Sequence, residues 1–115
     1  MRIAVISDTH NRLPLHLLHA IAEADEIWHL AWPPVIDLER EGFSIRLIHA
    51  PPLMPPPGCD LLLHGHTHIP RNERIGETRF FNPGTVGKPN KGVPPSYAWL
   101  ELVRGRPPRW EIVRL

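Results

Sequence analysis

The sequence predicts an α/β fold with few helices, and three observations support this class. The chain begins with a strand–helix–strand pattern, which is typical of a parallel sheet. Short apolar or alternating runs then recur along the chain, and each of them predicts a strand. Only one stretch has the spacing of an amphipathic helix, which is few for an α/β protein.

The first predicted elements form this strand–helix–strand unit. Residues 2–7 are a short apolar run that ends in polar residues, which predicts a buried strand. Pro14 suits the first turn of a helix, and apolar residues then repeat at helical spacing, so we predict a helix over 14–24. Residues 26–30 predict the second strand.

The rest of the chain predicts strands joined by loops. Pro33 and Pro34 stop any regular element. Residues 35–39 and 44–49 flank the turn sequence Arg40-Glu41-Gly42-Phe43 and predict a hairpin. The proline-rich stretch 51–58 predicts an irregular connector. Further strands are predicted at 60–64, 78–82, 96–102 and 110–114.

Composition sets broad limits on the protein class. The 115 residues predict one domain, 1–115, and the 42% hydrophobic and 22% charged fractions are ordinary for a globular protein. No stretch approaches the roughly 20 apolar residues that a membrane span needs. The net charge of +1 gives no electrostatic basis for a nucleic-acid partner. The first residues lack the form of a signal peptide, which predicts a cytoplasmic protein.

Aspartate and histidine follow three predicted strands at their carboxyl ends. These residues are Asp8, His10, His49, His66 and His68. Ligands bind at this edge of open α/β sheets. Each residue or pair alone is weak evidence, because ordinary surface histidines give the same pattern. Together they predict a site for Mn, Fe, Co, Ni or Zn.

Two residues beside the first pair are candidates for substrate binding. Asn11 and Arg12 follow Asp8 and His10 directly. An arginine guanidinium forms paired hydrogen bonds with phosphate oxygens, so this loop is a candidate phosphate contact. The alternative is a simple exposed loop.

Five segments carry motifs that occur together in one family. They are Ile-Ser-Asp-Thr-His-Asn (6–11), Leu-Ile-His (47–49), Leu-His-Gly-His-Thr-His-Ile-Pro (63–70), Phe-Asn-Pro-Gly-Thr-Val (81–86) and Pro-Pro-Ser-Tyr-Ala-Trp-Leu-Glu (94–101). The sequence thus resembles the calcineurin-like metallophosphoesterases, and within them the small phosphodiesterases of prokaryotes. The resemblance covers about 1–32 and 44–103. Its specific part is Gly-His-Thr-His followed by Asn-Pro-Gly.

The resemblance implies a shortened metallophosphoesterase-like β-sandwich with its metal site at the carboxyl ends of strands. By resemblance, one ion takes Asp8, His10 and His68, and a second takes His49 and His66. The resemblance also implies that a metal-activated water attacks phosphorus, with Asp8 and His10 in the catalytic site. It places the Asn-Pro-Gly turn under the metal loop as a support.

The sequence departs from the family pattern in its middle. Trp32 stands where the family has the bridging aspartate of its Gly-Asp motif, and the Gly-Asn-His/Cys motif is absent. Only 16 residues, 33–48, separate this position from His49. The second ion therefore keeps two ligands, and we expect one firmly bound ion with a second weak one.

These observations predict a metal-dependent phosphodiesterase or phosphatase that acts on a small phosphoester. The alternative is a metal-binding remnant of the family with weak or no turnover. The missing segment supplies helices in the family, so its loss predicts a partly bare apolar sheet face. Apolar patches of this kind mark partner surfaces, which predicts a homo-oligomer.

Overall fold

A computed structural model describes residues 1–7, 15–30, 35–87 and 92–115. Within these ranges the chain forms nine strands and one helix. The elements are β1 (Arg2–Ser7), α1 (Leu15–Ala20), β2 (Glu26–Leu30), β3 (Ile36–Arg40), β4 (Phe43–Ile48), β5 (Leu61–His64), β6 (Arg71–Ile75), β7 (Thr78–Asn82), β8 (Ser96–Glu101) and β9 (Arg109–Arg114). Every strand that the sequence predicts has its counterpart here.

The strands form two mixed sheets. The first has the order β2-β1-β8-β9 and the second the order β3-β4-β5-β7-β6. In the second sheet, β5 lies between β4 and β7 and is parallel to both. The carboxyl ends of β4, β5 and β7 therefore lie together at one edge, where the sequence predicts ligating side chains.

The two sheets pack face to face around a shared apolar core. Side chains from both sheets contribute to it, namely Ile3, Val5, Trp28, Leu30, Ala98 and Leu100 from the first and Ile45, Leu47, Leu61, Leu63 and Phe81 from the second. A second cluster joins α1 to the other face of the first sheet through Leu17, Ala4 and Ile6. The prediction of a β-sandwich with few helices is confirmed.

The segment that follows β7 joins the two sheets at the edge where the sequence predicts ligating side chains. The amide of Val86 donates a hydrogen bond of 3.1 Å to the carbonyl of Ser7, the last residue of β1. The amide of Ser96, at the start of β8, donates to the carbonyl of Thr85 at 2.8 Å. The end of β1 is thereby held beside the end of β7, although the two strands belong to different sheets.

The helical layer over the first sheet is thin. α1 ends at Ala20 and a turn follows, so the described helix is shorter than the predicted 14–24; Pro14 lies outside the described residues. Leu15, Leu18 and Ile27 are exposed by 73%, 42% and 53%. An apolar surface is thus partly uncovered, whereas the oligomer inferred from it stays a prediction. No described helix meets the length and apolarity that a bilayer crossing requires.

Strand β6 has no counterpart in the sequence prediction. Its residues, Arg71–Ile75, are mostly charged or polar and lack an apolar alternation. β6 lies at the edge of the second sheet and pairs with β7 alone. An edge strand with both faces largely exposed does not need a buried face, so the periodicity that identifies a strand is absent.

Candidate functional site

Two of the predicted ligands meet at the carboxyl ends of neighbouring strands. His49 directly follows β4, and His66 lies two residues beyond β5. Their ring centroids are 5.3 Å apart, with the ring planes at 72°. His66 is exposed and His49 is half-buried, so the pair opens towards solvent.

His66 occupies the centre of a tight turn. The amide of Thr67 donates a hydrogen bond of 2.8 Å to the carbonyl of Gly65, two residues earlier, which closes a γ-turn around His66. The φ of His66 is +69° and that of His68 is +64°. Side-chain-bearing residues rarely adopt this region. Such conformations persist where the surrounding structure imposes them, and they concentrate at functional sites.

The backbone amide and carbonyl of buried Gly65 tie this loop to its neighbours. Its amide donates to the carbonyl of His49 at 2.9 Å. Besides the Thr67 amide, its carbonyl accepts hydrogen bonds from two buried side chains, Nδ1 of His64 at 2.9 Å and Nδ2 of Asn82 at 3.2 Å. The amide and the carbonyl of this one residue therefore connect β4, β5 and β7 at the site.

His64 is a structural histidine beneath the loop. Its side chain is 1% exposed, and its Nε2 lies 3.1 Å from a guanidinium nitrogen of Arg71. A guanidinium only donates, so Nε2 accepts and Nδ1 carries the proton that is donated to Gly65. Burial lowers the pKa of His64; the Arg71 charge acts in the same direction, against the Gly65 hydrogen bond. His64 is thus the neutral Nδ1–H tautomer.

Asn82 supports the same loop from β7. It is fully buried, and its Nδ2 lies 3.0 Å from Oγ1 of Thr67 in addition to the Gly65 contact. Its Oδ1 accepts a hydrogen bond of 2.9 Å from the amide of Gly84. The Asn-Pro-Gly segment therefore contacts the histidine loop. The position of this segment under the loop was predicted only from the family resemblance. The hydrogen bonds of His64 were not predicted from the sequence.

The remaining predicted site residues divide into two groups. His68 is half-buried, with its Nδ1 inaccessible to solvent. Asp8, His10, Asn11, Arg12 and the Trp32 position lie outside the described residues. Ser7, which precedes Asp8, is held beside the end of β7 by a hydrogen bond from the amide of Val86 to its carbonyl.

The described donors fit part of a metal coordination shell. Imidazole is a common ligand for Zn, Ni, Fe and Cu, and nitrogen–zinc distances of about 2.0–2.1 Å allow two rings separated as His49 and His66 are to share one ion. Among the described residues, no group of three or more histidine, cysteine, aspartate or glutamate side chains is placed to hold a metal ion. Two imidazoles alone make an incomplete shell, and the sequence assigns Asp8 and His10, together with His68, to a separate ion.

The chain shares sequence similarity with a phosphoesterase family and with a bacterial phosphodiesterase. Residues 31–105 match the sequence profile of the calcineurin-like phosphoesterase superfamily domain. A stretch of 42 residues is 50% identical to the phosphodiesterase YfcE of Escherichia coli strain K12. This match covers 36% of the chain and 23% of that relative, so it spans less than a quarter of the curated protein's length.

Two solved structures illustrate the likeness of the fold. The structure of YfcE, a phosphoesterase from Escherichia coli, aligns with a TM-score of 0.69 at 24% identity over 88% of each chain. Vps29 from Entamoeba histolytica, solved in complex with Zn²⁺, aligns with a TM-score of 0.72 at 17% identity over 99% of each chain. At these identities the alignments establish the fold alone.

Proposed function

Because the chain belongs to the calcineurin-like phosphoesterase superfamily, we propose that it binds divalent transition-metal ions at the His49–His66 edge and hydrolyses small phosphoesters there. The observation that carries this proposal is the meeting of two imidazoles at 5.3 Å on adjacent strand ends. The strained loop conformation of His66 and the 50% identity to a phosphodiesterase over 42 residues support it.

The ligands divide between a firm and a weak position in this proposal. Asp8, His10 and His68 hold the principal ion, because three protein ligands are usual for an open catalytic site. His49 and His66 hold a second ion more weakly, because two imidazoles alone are too few for tight binding. When bound, the metal supplies Lewis-acid polarisation of the phosphoryl group and activates water. Mn, Ni, Zn, Fe and Co are all compatible with this mixed imidazole and carboxylate set.

The chain contributes binding and orientation around these ligands. The hydrogen bond between Gly65 and His49 fixes the spacing of the two strand ends. Asn11 and Arg12 are the proposed phosphate contacts, since the planar guanidinium makes two parallel hydrogen bonds to phosphate oxygens. This arrangement recognises the phosphate group and does not specify the leaving group. Both phosphodiesters and phosphomonoesters are therefore candidate substrates.

Hydrolysis of bis(p-nitrophenyl) phosphate with added Mn²⁺ or Ni²⁺ tests the proposal. We expect metal-dependent release of nitrophenol that falls at least about tenfold in Asp8→Ala and in His66→Ala, as loss of a ligand or its support does elsewhere. His19→Ala is the matched control, because His19 is an exposed histidine on α1. Equal rates in His66→Ala and the parent protein would contradict the assignment.

A second candidate function is metal binding without turnover. The observation that favours it is Trp32, which replaces the bridging aspartate of the family pattern, together with the lost Gly-Asn motif. Elemental analysis of the purified protein separates the two candidates. A bound transition metal that is lost in the double variant His66→Ala, His68→Ala, without hydrolysis in the parent protein, would favour the second candidate.

A further inference from the structure

We propose that Asn82 is the positioning residue of the candidate site: its buried carboxamide holds the Gly65 carbonyl and so fixes the turn that carries His66 and His68. The inference rests on the proposed function for its metal-binding consequence. The role of Asn82 in holding the turn does not depend on a bound metal ion. Asn82 contacts no ligand in this scheme and acts through Gly65 and Thr67.

The orientation of the Asn82 carboxamide follows from its partners. The amide of Gly84 is a donor, so the carboxamide oxygen must face it, and the two lie 2.9 Å apart. The carboxamide nitrogen consequently faces the loop, where it donates to the Gly65 carbonyl at 3.2 Å and to Oγ1 of Thr67 at 3.0 Å. The following Pro83 restricts Asn82 to extended backbone, which keeps this direction.

The two contacts of Asn82 bracket His66. Gly65 and Thr67 are its neighbours on either side, and the γ-turn hydrogen bond also joins them. Because a peptide group is planar, fixing the Gly65 carbonyl also fixes the amide nitrogen of His66. The positive φ of +69° is then held from both sides, although an isolated histidine would favour negative φ.

The loss of these hydrogen bonds is costly because the groups that form them are largely shielded from water. Asn82 is 0% exposed, Gly65 is buried, and Thr67 is half-buried, so water has little access to replace a lost donor. Truncation of Asn82 removes the acceptor of the buried Gly84 amide, one of the three donors to the Gly65 carbonyl, and one contact of Thr67. The loss at the Gly84 amide is costly, and the turn loses two of the contacts that hold it, so we expect the loop to move rather than keep its strained shape.

Amide hydrogen exchange of the metal-free protein provides the first test. We expect Asn82→Ala to raise the exchange rates of the Gly65 and Thr67 amides about tenfold or more beyond the rise at amides of β1 and β8. Thr78→Val is the matched control: it lies at the other end of β7 and removes one buried hydrogen bond, from its hydroxyl to the Cys59 carbonyl. In Thr78→Val, we expect the exchange rates of the Gly65 and Thr67 amides to rise no more than those of amides in β1 and β8.

Binding of Co²⁺ alone provides the second test. We expect Asn82→Ala to weaken Co²⁺ affinity about 10- to 100-fold and to change the visible absorption of bound Co²⁺, whereas Thr78→Val leaves both near those of the parent. Asn82→Ser, which keeps a small polar group, replaces Asn82→Ala in both tests if the alanine variant does not fold.

The two tests distinguish the possible failures. A parent protein that binds no Co²⁺ overturns the metal proposal, and the exchange experiment then decides the positioning role alone. Loop amides that exchange no faster in Asn82→Ala than in Thr78→Val overturn the role of Asn82. Unchanged Co²⁺ affinity and absorption in Asn82→Ala overturn its metal-binding consequence.

Discussion

The carbonyl oxygen of His49 accepts a hydrogen bond of 2.9 Å from the amide of Gly65. This bond continues the parallel pairing of β4 and β5 beyond Ile48 and His64, the last residues in register. Neighbouring strands lie about 4.8 Å apart, and the ring separation of 5.3 Å between His49 and His66 matches that spacing closely. The parallel pairing therefore brings the two strand ends together, and the γ-turn around His66 sets the direction of its ring.

The first prediction concerns the strain at His66. We expect His66→Gly to be more stable than His66→Ala by about 1–2 kcal/mol, because glycine adopts positive φ without the penalty that Cβ brings. His19, in the last turn of α1, is the matched control with the opposite sign. There, alanine should be more stable than glycine by up to about 1 kcal/mol. Urea denaturation of the four variants checks this, and the same sign at both positions would contradict it.

The second prediction concerns the turn that follows Asn82. Gly84 has φ of +83°, and a Cβ at this position would fall on Oγ of Ser96. We expect Gly84→Ala to cost about 2–4 kcal/mol from backbone strain and overpacking together. Gly76→Ala is the control, because Gly76 also has positive φ but has open space around it. Chemical denaturation curves measure both, and equal losses at the two glycines would show that the contact with Ser96 carries no cost.

The third prediction is a pH dependence that arises from His64. Burial lowers its pKa from the ordinary value of 6.5, so below pH 6.5 the unfolded chain takes up a proton that the folded protein does not. Stability is therefore complete above pH 6.5 and falls as the pH drops towards the lowered folded-state pKa, by at most about 1.4 kcal/mol per pH unit. We expect His64→Gln to be less stable but to lose less stability between pH 7 and pH 5. Parallel stability curves would contradict the assignment.

The fourth prediction is self-association through the thin helical layer. Ile27 on β2 is 53% exposed, and Leu15 and Leu18 of α1 are also exposed. We expect light scattering at micromolar concentration to show a species heavier than the 13.1 kDa chain, and Ile27→Lys to shift it towards the monomer. Val103→Lys, which changes an exposed apolar residue after β8, is the control. A parent protein that scatters only as a 13.1 kDa species would count against this prediction.

Much of the fold could be predicted because its strands are regular. The central strand β5 is buried along its whole length, and its run of three leucines gives a clear signal. The position of His49 and His66 at the ends of such strands could also be read from the sequence. Strand β6 could not, because Arg71–Ile75 obtains its structure from pairing with β7 rather than from its own apolar pattern.

The supports of the candidate site were harder to predict than the candidate ligands. In the sequence, nothing distinguishes His64 from the other histidines of this segment. Only the fold shows that it is buried against Arg71, seven residues away. The bonds of Asn82 join residues 15 and 17 positions apart. Contacts of this kind depend on strand order in the sheet, which no local pattern encodes.

Side-chain nitrogen spectra of histidine test the central claim most directly. In a long-range ¹H–¹⁵N experiment with the eight histidines assigned, Zn²⁺ is added to the metal-free protein. We predict that the ring nitrogens of His49, His66 and His68 shift to metal-bound values, and that those of His16 and His19 on α1 stay in place. If the rings of His49 and His66 do not change, or if all eight rings respond alike, the proposed metal site at the ends of β4 and β5 is wrong.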